Sequence, residues 1–318
     1  MVPKCHRLQL LDECIVYERS NKIIKSDIKM HEKYVIIDVK CAQAIYRGAD
    51  TFIPGVIALS LNSKAQDLVS IYADLKGKCL KGSDATNYVL KNRESLKFIG
   101  NGWVLFDRDN FFKKDLQKSG IGVRIKELSD GSYVASFENL NQFKYFPQNL
   151  PSMLCARVLD PRPGHLILDM CAAPGGKTTY IAELIKNKGR IIAFDKIASK
   201  IHKMKELCKN FGATSVECHV QDATKIDFNI YQTETFDRIL VDSPCSALGQ
   251  RPSIFNKIKP SQLKSYISYQ RMILDNAVKL LKPGGFLVFS TCTITIEENE
   301  EQVSWLLQKY KFLKLVDQ

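Results

Sequence analysis

Several features are missing from this chain, and each absence removes a class of protein. None of the ten cysteines stand as a Cys-x-x-Cys pair, and the five histidines do not fall at zinc-ligand spacing. A structural zinc module is therefore excluded, and no metal is expected. No apolar run approaches the roughly 20 residues that span a bilayer, so no membrane is expected. No signal-peptide pattern is read either, and free thiols in a reducing cytosol or nucleus are expected, with a cytoplasmic location the reading taken. The turn Gly175-Gly176-Lys177-Thr178 lacks the GxxxxGK[ST] spacing of a phosphate loop, which removes the phosphate-loop nucleoside triphosphatases. Internal repeats and low-complexity tracts are also absent, so solenoids and compositionally disordered chains drop out.

What remains is an ordinary globular composition with an unusual charge. The chain has 318 residues, 45% hydrophobic and 25% charged. That length suits two domains at roughly 100–200 residues each. The net charge is +12, and the excess divides evenly between residues 1–150 and 151–318. Such a balance fits a polyanion lying across both halves, above all a nucleic acid; a merely basic soluble protein is the plainer alternative.

Residues 1–30 mix charges without a clear period and are expected to form an irregular or helical lead-in. From Tyr34, short apolar runs recur at Tyr34–Val39, Val56–Leu59, Val69–Tyr72, Ile99–Leu105 and Gly120–Ile125, separated by Gly, Asn and Asp. This predicts a small β-rich domain over residues 31–135, with one helix at Cys41–Arg47 ended by Gly48. The rhythm changes around Pro147-Gln-Asn-Leu-Pro151. Beyond it, strands at Leu166–Met170, Arg190–Phe194, Ser215–Cys218, Phe236–Val241 and Gly285–Ser290 alternate with helices. The helices are expected at Lys177–Lys186, Ser199–Phe211, Ser261–Leu281 and Glu297–Lys309. That alternation predicts an α/β domain with a parallel sheet over residues 136–318. Lys282-Pro-Gly-Gly285 separates a helix from a strand. Thr295-Ile-Glu-Glu298 reads as a capping box opening the last helix.

In an open α/β sheet, ligands bind beyond the carboxyl ends of the strands. Three segments therefore deliver groups to one rim. The first is Asp169-Met-Cys171-Ala172-Ala173-Pro174-Gly175-Gly176-Lys177. Its two glycines let the backbone turn and approach a ligand, and the helix start behind them favours a carboxylate. Asp195 ends the next strand, placed to accept both ribose hydroxyls, and Asp222 follows the third, where an adenine edge could lie. Each Asp alone is more often a turn or cap residue. Together they favour an adenosine-bearing cofactor without phosphates, and S-adenosylmethionine fits.

The other two segments end in thiols, at Cys245 after Asp242-Ser-Pro and at Cys292 after Ser290-Thr. Most cysteines are small buried apolar residues, and Cys5, Cys14, Cys41, Cys79, Cys155, Cys208 and Cys218 are read that way. Cys245 and Cys292 escape that reading because both lie just past strand ends in neighbouring loops. Paired rim thiols suit methylation of a ring carbon such as cytosine C5, a poor nucleophile. Thiolate addition at C6 turns C5 into an enamine carbon able to attack a methyl sulfonium. Asp242 could hydrogen-bond the amino edge of the base. Either thiol could be the nucleophile. In the first half, Lys76, Lys78 and Lys81 form a compact basic turn usable for phosphate contacts, or a solvated loop.

Asp169–Lys177, Asp242-Ser-Pro-Cys245 and Thr291-Cys-Thr293 resemble the signature motifs of the Nop/Sun family of RNA 5-methylcytosine methyltransferases. Residues 44–55, 69–79 and Gly249-Gln-Arg-Pro252 resemble its branch that carries a PUA domain. The resemblance implies a Rossmann-like S-adenosylmethionine-dependent domain preceded by a PUA-like β-barrel. It implies that Cys292 is the nucleophile and Cys245 assists release. It further implies that Lys177 and Asp242 meet the target base and the cofactor end, that residues 171–177 with Asp195 and Asp222 hold the cofactor, and that the substrate is a tRNA gripped by its acceptor stem and CCA end, by a monomeric enzyme. Two departures stand out. Ala247 replaces a common Gly, where a methyl would crowd a tight turn. The chain also reaches its last residue, Gln318, sooner than family members do, leaving a sheet edge expected to favour aggregation. Two rivals remain, a non-catalytic RNA-binding protein and a methyltransferase acting on nitrogen or on DNA; nitrogen chemistry leaves the paired thiols unexplained.

Overall fold

The computed structural model describes residues 5–8, 11–17, 28–112, 119–129, 146, 148–250, 253–254 and 258–317. Two compact units divide the chain: Met1–Asn139 with Arg251–Asn256, and Leu140–Gln250 with Lys257–Gln318. The boundary expected at residues 135/136, and Arg251 and Pro252 of the GQRP motif, lie outside the described residues.

Unit 1 opens with an antiparallel hairpin, β1 (Cys5–Leu8) and β2 (Leu11–Tyr17). An irregular or helical lead-in is thus corrected. The β-branched and aromatic run Ile15-Val16-Tyr17 carries the strand preference that the mixed charges hide. The rest of the unit is a six-stranded mixed sheet. In chain order its elements are β3 (Tyr34–Ile37), α1 (Val39–Tyr46), β4 (Thr51–Phe52), β5 (Val56–Leu59), β6 (Leu68–Asp74), α2 (Ala85–Asn92), β7 (Leu96–Val104), α3 (Arg108–Phe112) and β8 (Ile121–Leu128). The strand order is β4-β8-β7-β6-β3-β5. Both faces are covered. Val35, Ile37, Val69 and Ile71 pack with Ala42 and Ile45 of α1, while Ile36, Ala58 and Tyr72 pack with Ala85 and Val89 of α2. That two-sided burial explains the unbroken apolar run Val35-Ile36-Ile37, where a half-exposed strand would alternate. Helix α2 escapes a sequence reading because Thr86, Asn87, Tyr88 and Val89 are weak helix formers. It stands on its Asp84 cap, which accepts from Thr86 N at 3.1 Å, and on packing.

Unit 2 begins with α4 (Leu150–Val158), capped by Asn149, whose side chain accepts from Ser152 N at 3.0 Å. The change of rhythm near Pro151 therefore marks a helix start, with Pro at the first turn where its missing N–H costs nothing. There follow β9 (Leu166–Asp169), α5 (Gly176–Leu184), β10 (Arg190–Asp195), α6 (Ala198–Asn210), β11 (Val216–Val220), β12 (Phe236–Asp242), α7 (Pro260–Leu280), β13 (Leu281–Ser290) and α8 (Glu300–Lys309). The five strands run in the order β11-β10-β9-β12-β13, all parallel. Phe194, Phe236, Leu168 and Met170 lie in the core with Ile273 and Leu274 of α7. Ile167, Ala193 and Leu240 are fully buried as well. Residues between Leu281 and Phe286 bulge out of the β12/β13 ladder. There the Lys-Pro-Gly-Gly turn sits inside the strand's bounds rather than before it.

The expected capping box at the last helix is not formed. Ile296–Glu298 is a short 3-10 turn, and α8 starts at Glu300 behind Asn299. The Thr295 hydroxyl donates to Glu298 Oε2 at 3.0 Å, and the Glu298 carboxylate looks toward a different part of the unit.

Gly100 offers a direct test of unit 1. It lies at φ +157° opposite Leu128, and a Cβ there would run into the Glu127 carbonyl oxygen. Gly100→Ala is expected to destabilise the unit by about 2–3 kcal/mol through a forced shift of the β7/β8 pairing. Trp103 sits in this sheet and Trp305 in unit 2, so urea titrations followed by fluorescence in a Trp305→Phe background report unit 1 alone. An unchanged midpoint would show that the strands part freely.

Candidate active site

Strand register builds the site. Across β9/β12, Asp169 lies opposite Leu240; across β12/β13, Asp242 lies opposite Ser290. The order 3-2-1-4-5 reverses between β9 and β12, the crevice position for ligands in such sheets. The turns after β9, β12 and β13 therefore leave from one rim, as the motif positions imply.

The loop Cys171–Gly175 is tied down at its start, where Met170 N donates to Leu240 O at 3.0 Å and Ala172 N to Phe194 O at 2.8 Å. Gly175 sits at φ +107°, and a Cβ there would approach Met204 Cγ to 2.9 Å. Backbone hand and space both demand glycine. Helix α5 then starts at Gly176 and presents its N-terminal N–H groups and Lys177 at the rim. Burial, with the charges of Asp169, Asp242 and Asp195, pushes the Cys171 thiol up, which marks it as an inert member of the loop.

Asp195 and Asp222 end or follow adjacent strands, as a cofactor laid along the rim requires. Each also makes a local bond. Asp195 Oδ1 accepts from Ile197 N at 2.9 Å, and Asp222 Oδ1 accepts from the N–H and hydroxyl of Thr224 at 2.9 and 2.7 Å. Burial opposes ionisation of Asp222, yet the Thr224 bonds hold its carboxyl below the usual range. The glycine cradle, the helix start and these two carboxylates fit S-adenosylmethionine in its parts: carboxylate, adenosine ribose and adenine. Among the described residues, no group of His, Cys, Asp and Glu could hold a metal ion.

The two thiols meet. Cys245 Sγ and Cys292 Sγ are 3.2 Å apart, and Cys292 N donates to Cys245 Sγ at 3.3 Å. Two donors on one sulfur favour charge on Cys245. The hydrogen bond from Cys292, outweighing burial, pulls the Cys245 thiol down to about 7, while the same bond and burial push Cys292 up. Of the two thiols, Cys245 is therefore the one more readily ionised. Gln250 Nε2 lies 3.4 Å from Cys292 Sγ, a donor that steadies that sulfur whenever it carries charge.

Beside the thiols stands Asp242. Its Oδ2 accepts from Lys177 Nζ at 2.7 Å and its Oδ1 from Ser290 Oγ at 2.7 Å. The sequence names Asp242 and Lys177 but misses Ser290 and Gln250. Ser290 had one available signal, a hydroxyl closing the apolar run Phe286–Phe289. Ala247 adopts φ +56°, a left-handed conformation that costs an L-residue about 1 kcal/mol. The departure from Gly at this position thus falls on backbone hand.

Lys76, Lys78 and Lys81 belong to unit 1. All three are exposed, on a turn gathered by Asp74, whose carboxylate accepts from the backbone N–H of Lys76, Gly77 and Cys79 at 3.1, 3.0 and 2.7 Å.

Asp169 generates a pH test. It is 1% exposed, and its Oδ2 accepts from Thr178 Oγ1 at 2.7 Å. Burial, joined by the Asp242 charge, pushes its carboxyl up to about 7. A raised carboxyl binds a proton in the native state that the unfolded chain has released. Stability is therefore expected to fall as pH rises from the unfolded value near 4 to about 7, by at most about 4 kcal/mol. Asp169→Asn keeps an acceptor for Thr178 and should flatten that slope relative to the parent in urea titrations from pH 4 to 8. Parallel curves would place the Asp169 proton elsewhere.

Comparison with known proteins agrees with this geometry. The family model described as 16S rRNA methyltransferase RsmB/F matches residues 156–318. The tRNA (cytosine(72)-C(5))-methyltransferase NSUN6 of Mus musculus is 42% identical over 306 residues, covering 92% of this chain and 62% of the relative. Its Homo sapiens counterpart is 40% identical over 306 residues, covering 92% and 63%. The chain thus spans somewhat under two thirds of these mammalian relatives. The tRNA (cytosine(72)-C(5))-methyltransferase of Pyrococcus horikoshii is 34% identical over 307 residues, covering 95% of this chain and 72% of the relative. The crystal structure of NSun6 from Pyrococcus horikoshii with SFG superposes with a TM-score of 0.80 at 33% identity, over 96% of this chain and 73% of that one. By motif, fold and sequence, the chain belongs to the RsmB/F methyltransferase family.

Proposed function

We propose that this protein transfers a methyl group from S-adenosylmethionine to C5 of a cytosine in RNA, through a covalent adduct between Cys292 and C6. The observation that carries the reading is the contact of Cys245 and Cys292 at 3.2 Å next to the Lys177–Asp242 pair. Support comes from relatives named as tRNA cytosine(72)-C5 methyltransferases and from an archaeal relative solved with SFG, an analogue of S-adenosylmethionine. On the same grounds the target is a cytosine near a tRNA acceptor end, with unit 1 acting as a PUA-type module on the acceptor stem and CCA end. Eight described cysteines are free thiols, in keeping with a reducing cytoplasm.

The residues divide the chemistry as follows. Cys245 thiolate takes the Cys292 proton as Cys292 Sγ bonds to C6. Lys177 and Asp242 meet the polar edge of the base and stabilise the charge pushed into its ring. The cofactor supplies the electrophilic methyl. Once C5 carries it, the C5 proton leaves to solvent and the C6–S bond breaks. Cys245 then returns its proton to the departing Cys292 sulfur.

The two thiols should therefore fail differently. Cys292→Ala should form no adduct and no 5-methylcytosine. In Cys245→Ala, Cys292 must lose its proton to solvent, which slows attack. The departing sulfur then lacks its proton donor, so the variant should still accumulate an enzyme–RNA complex that survives denaturing electrophoresis, formed faster at higher pH. Bisulfite sequencing of RNA incubated with the chain and cofactor reads the product. An adduct in Cys292→Ala and none in Cys245→Ala would exchange the roles. Methyl transfer intact in both variants would remove covalent catalysis, and none in the parent chain would favour a non-catalytic RNA-binding protein.

Replacing Lys76, Lys78 and Lys81 with Ala should weaken RNA binding and lower its log–log salt slope by up to about one unit per lost phosphate contact. Cofactor affinity, read by calorimetry, should be unchanged. Equal RNA affinity would make the turn a solvated bystander.

A further inference from the structure

We infer that Glu298 is a positioning residue that clamps the Pro-Cys loop to the Thr-Cys loop and so holds Cys245 and Cys292 in contact. The inference rests on the proposed use of these thiols only for its kinetic consequence; the geometric claim stands by itself.

Glu298 is 1% exposed. A carboxylate in such a place is costly unless hydrogen bonds surround it. Three donors do so, each from a different segment. Oε1 accepts from Ser246 N at 3.0 Å and from Gln270 Nε2 at 3.1 Å, and Oε2 accepts from Thr295 Oγ1 at 3.0 Å. Ser246 follows Cys245 in the chain. Thr295 closes the loop that carries Cys292. Gln270 comes from α7, is itself fully buried, and also donates to Pro244 O at 3.1 Å. One amide and one carboxylate thus fix the residues on either side of Cys245 and tie them to the segment beyond Cys292.

Two further bonds join the loops above this clamp. Ser246 Oγ lies 2.6 Å from Thr293 Oγ1, and Gly249 N donates to Cys292 O at 2.9 Å. A Cβ on Gly249 would come within 2.9 Å of that carbonyl, so the loops pack backbone to backbone. Glu298 is the one carboxylate among the described residues that bonds to both loops. Without it, the buried Ser246 N–H loses its acceptor and the bonds that tie Ser246 and Gln270 to Thr295 are gone. A helix-capping role would leave the carboxylate on a backbone N–H of its own helix; here it turns away from α8.

Substitution separates clamp from packing. Glu298→Gln keeps an oxygen for Ser246 N and Gln270 Nε2, and its amide can donate to Thr295 Oγ1. Glu298→Ala removes all three bonds. Glu298→Asp keeps the charge but retracts it by one methylene and cannot span both loops.

The probe is phenylarsine oxide, which reads thiol proximity without catalysis. Its arsenic forms two As–S bonds with two neighbouring thiols, and the two thiol protons leave with the oxide oxygen as water. Binding to this site is the portion lost in both Cys245→Ala and Cys292→Ala. In the folded full chain, Glu298→Ala should release the arsenical at about tenfold lower dimercaptopropanol, because the thiols lose their fixed spacing. Glu298→Asp should shift the same way, and Glu298→Gln should match the parent. With RNA and cofactor, kcat of Glu298→Ala should fall by about 100-fold, the scale of a 1 Å misplacement, at unchanged KM for both. Glu298→Gln should restore it.

Parent-like arsenical retention in folded Glu298→Ala or, where that variant does not fold, in Glu298→Asp overturns the clamp. Failure of Glu298→Gln to rescue either readout also overturns it. The expected arsenical series in a chain that methylates no RNA upholds the clamp and removes the proposed function instead.

Discussion

Everything at the rim depends on the parallel pairing of β12 between β9 and β13. A parallel ladder fixes which residues end level with one another, and a slip of one residue would turn every side chain to the opposite face. Asp242 opposite Ser290 sets both residues at the strand ends, and Cys245 and Cys292 then lie three and two positions into their loops. The apolar runs that bury both sheet faces pin this register, so the core energetics and the thiol contact are parts of one arrangement.

Charge at the rim is shared rather than isolated. Cys245 and Cys292 share a hydrogen bond, Lys177 offsets Asp242, and Glu298 is surrounded by three donors. Asp169 differs: it is buried with a single hydroxyl donor on Oδ2 and carries its proton up to about 7. Desolvation penalises the charged form and hydrogen bonds restore it, and at Asp169 burial outweighs the one hydroxyl bond. The Lys177–Asp242 pair thus joins the turns after β9 and β12, and the thiol contact joins those after β12 and β13.

The nucleophile assignment combines two kinds of information. Family resemblance implies attack by Cys292, whereas the bond from Cys292 N makes Cys245 the more readily ionised thiol. The two agree once Cys245 acts as the base that deprotonates Cys292 across 3.2 Å. The difference in exposure fits that division, since Cys245 is half-buried and Cys292 exposed.

The sequence by itself determined the α/β class of residues 166–317, the order of strands and helices, and the rim residues Lys177, Asp242, Cys245 and Cys292. Periodicity and short motifs encode these because strand ends and tight turns make local demands on backbone and side chain. Gly175 is one such demand, met by a left-handed turn. It did not determine α2 or α4, whose weak formers or Pro-led starts depend on burial against a sheet. Nor did it reveal the β1/β2 hairpin, Ser290, Gln250 or the true use of Glu298. Thr295-Ile-Glu-Glu298 has the letters of a helix cap. Only tertiary packing, by carrying Ser246 and Gln270 to the same carboxylate from 52 and 28 residues away, decided that it joins two loops. Such long-range hydrogen bonds have no local period, so they become legible only when the fold brings their ends together.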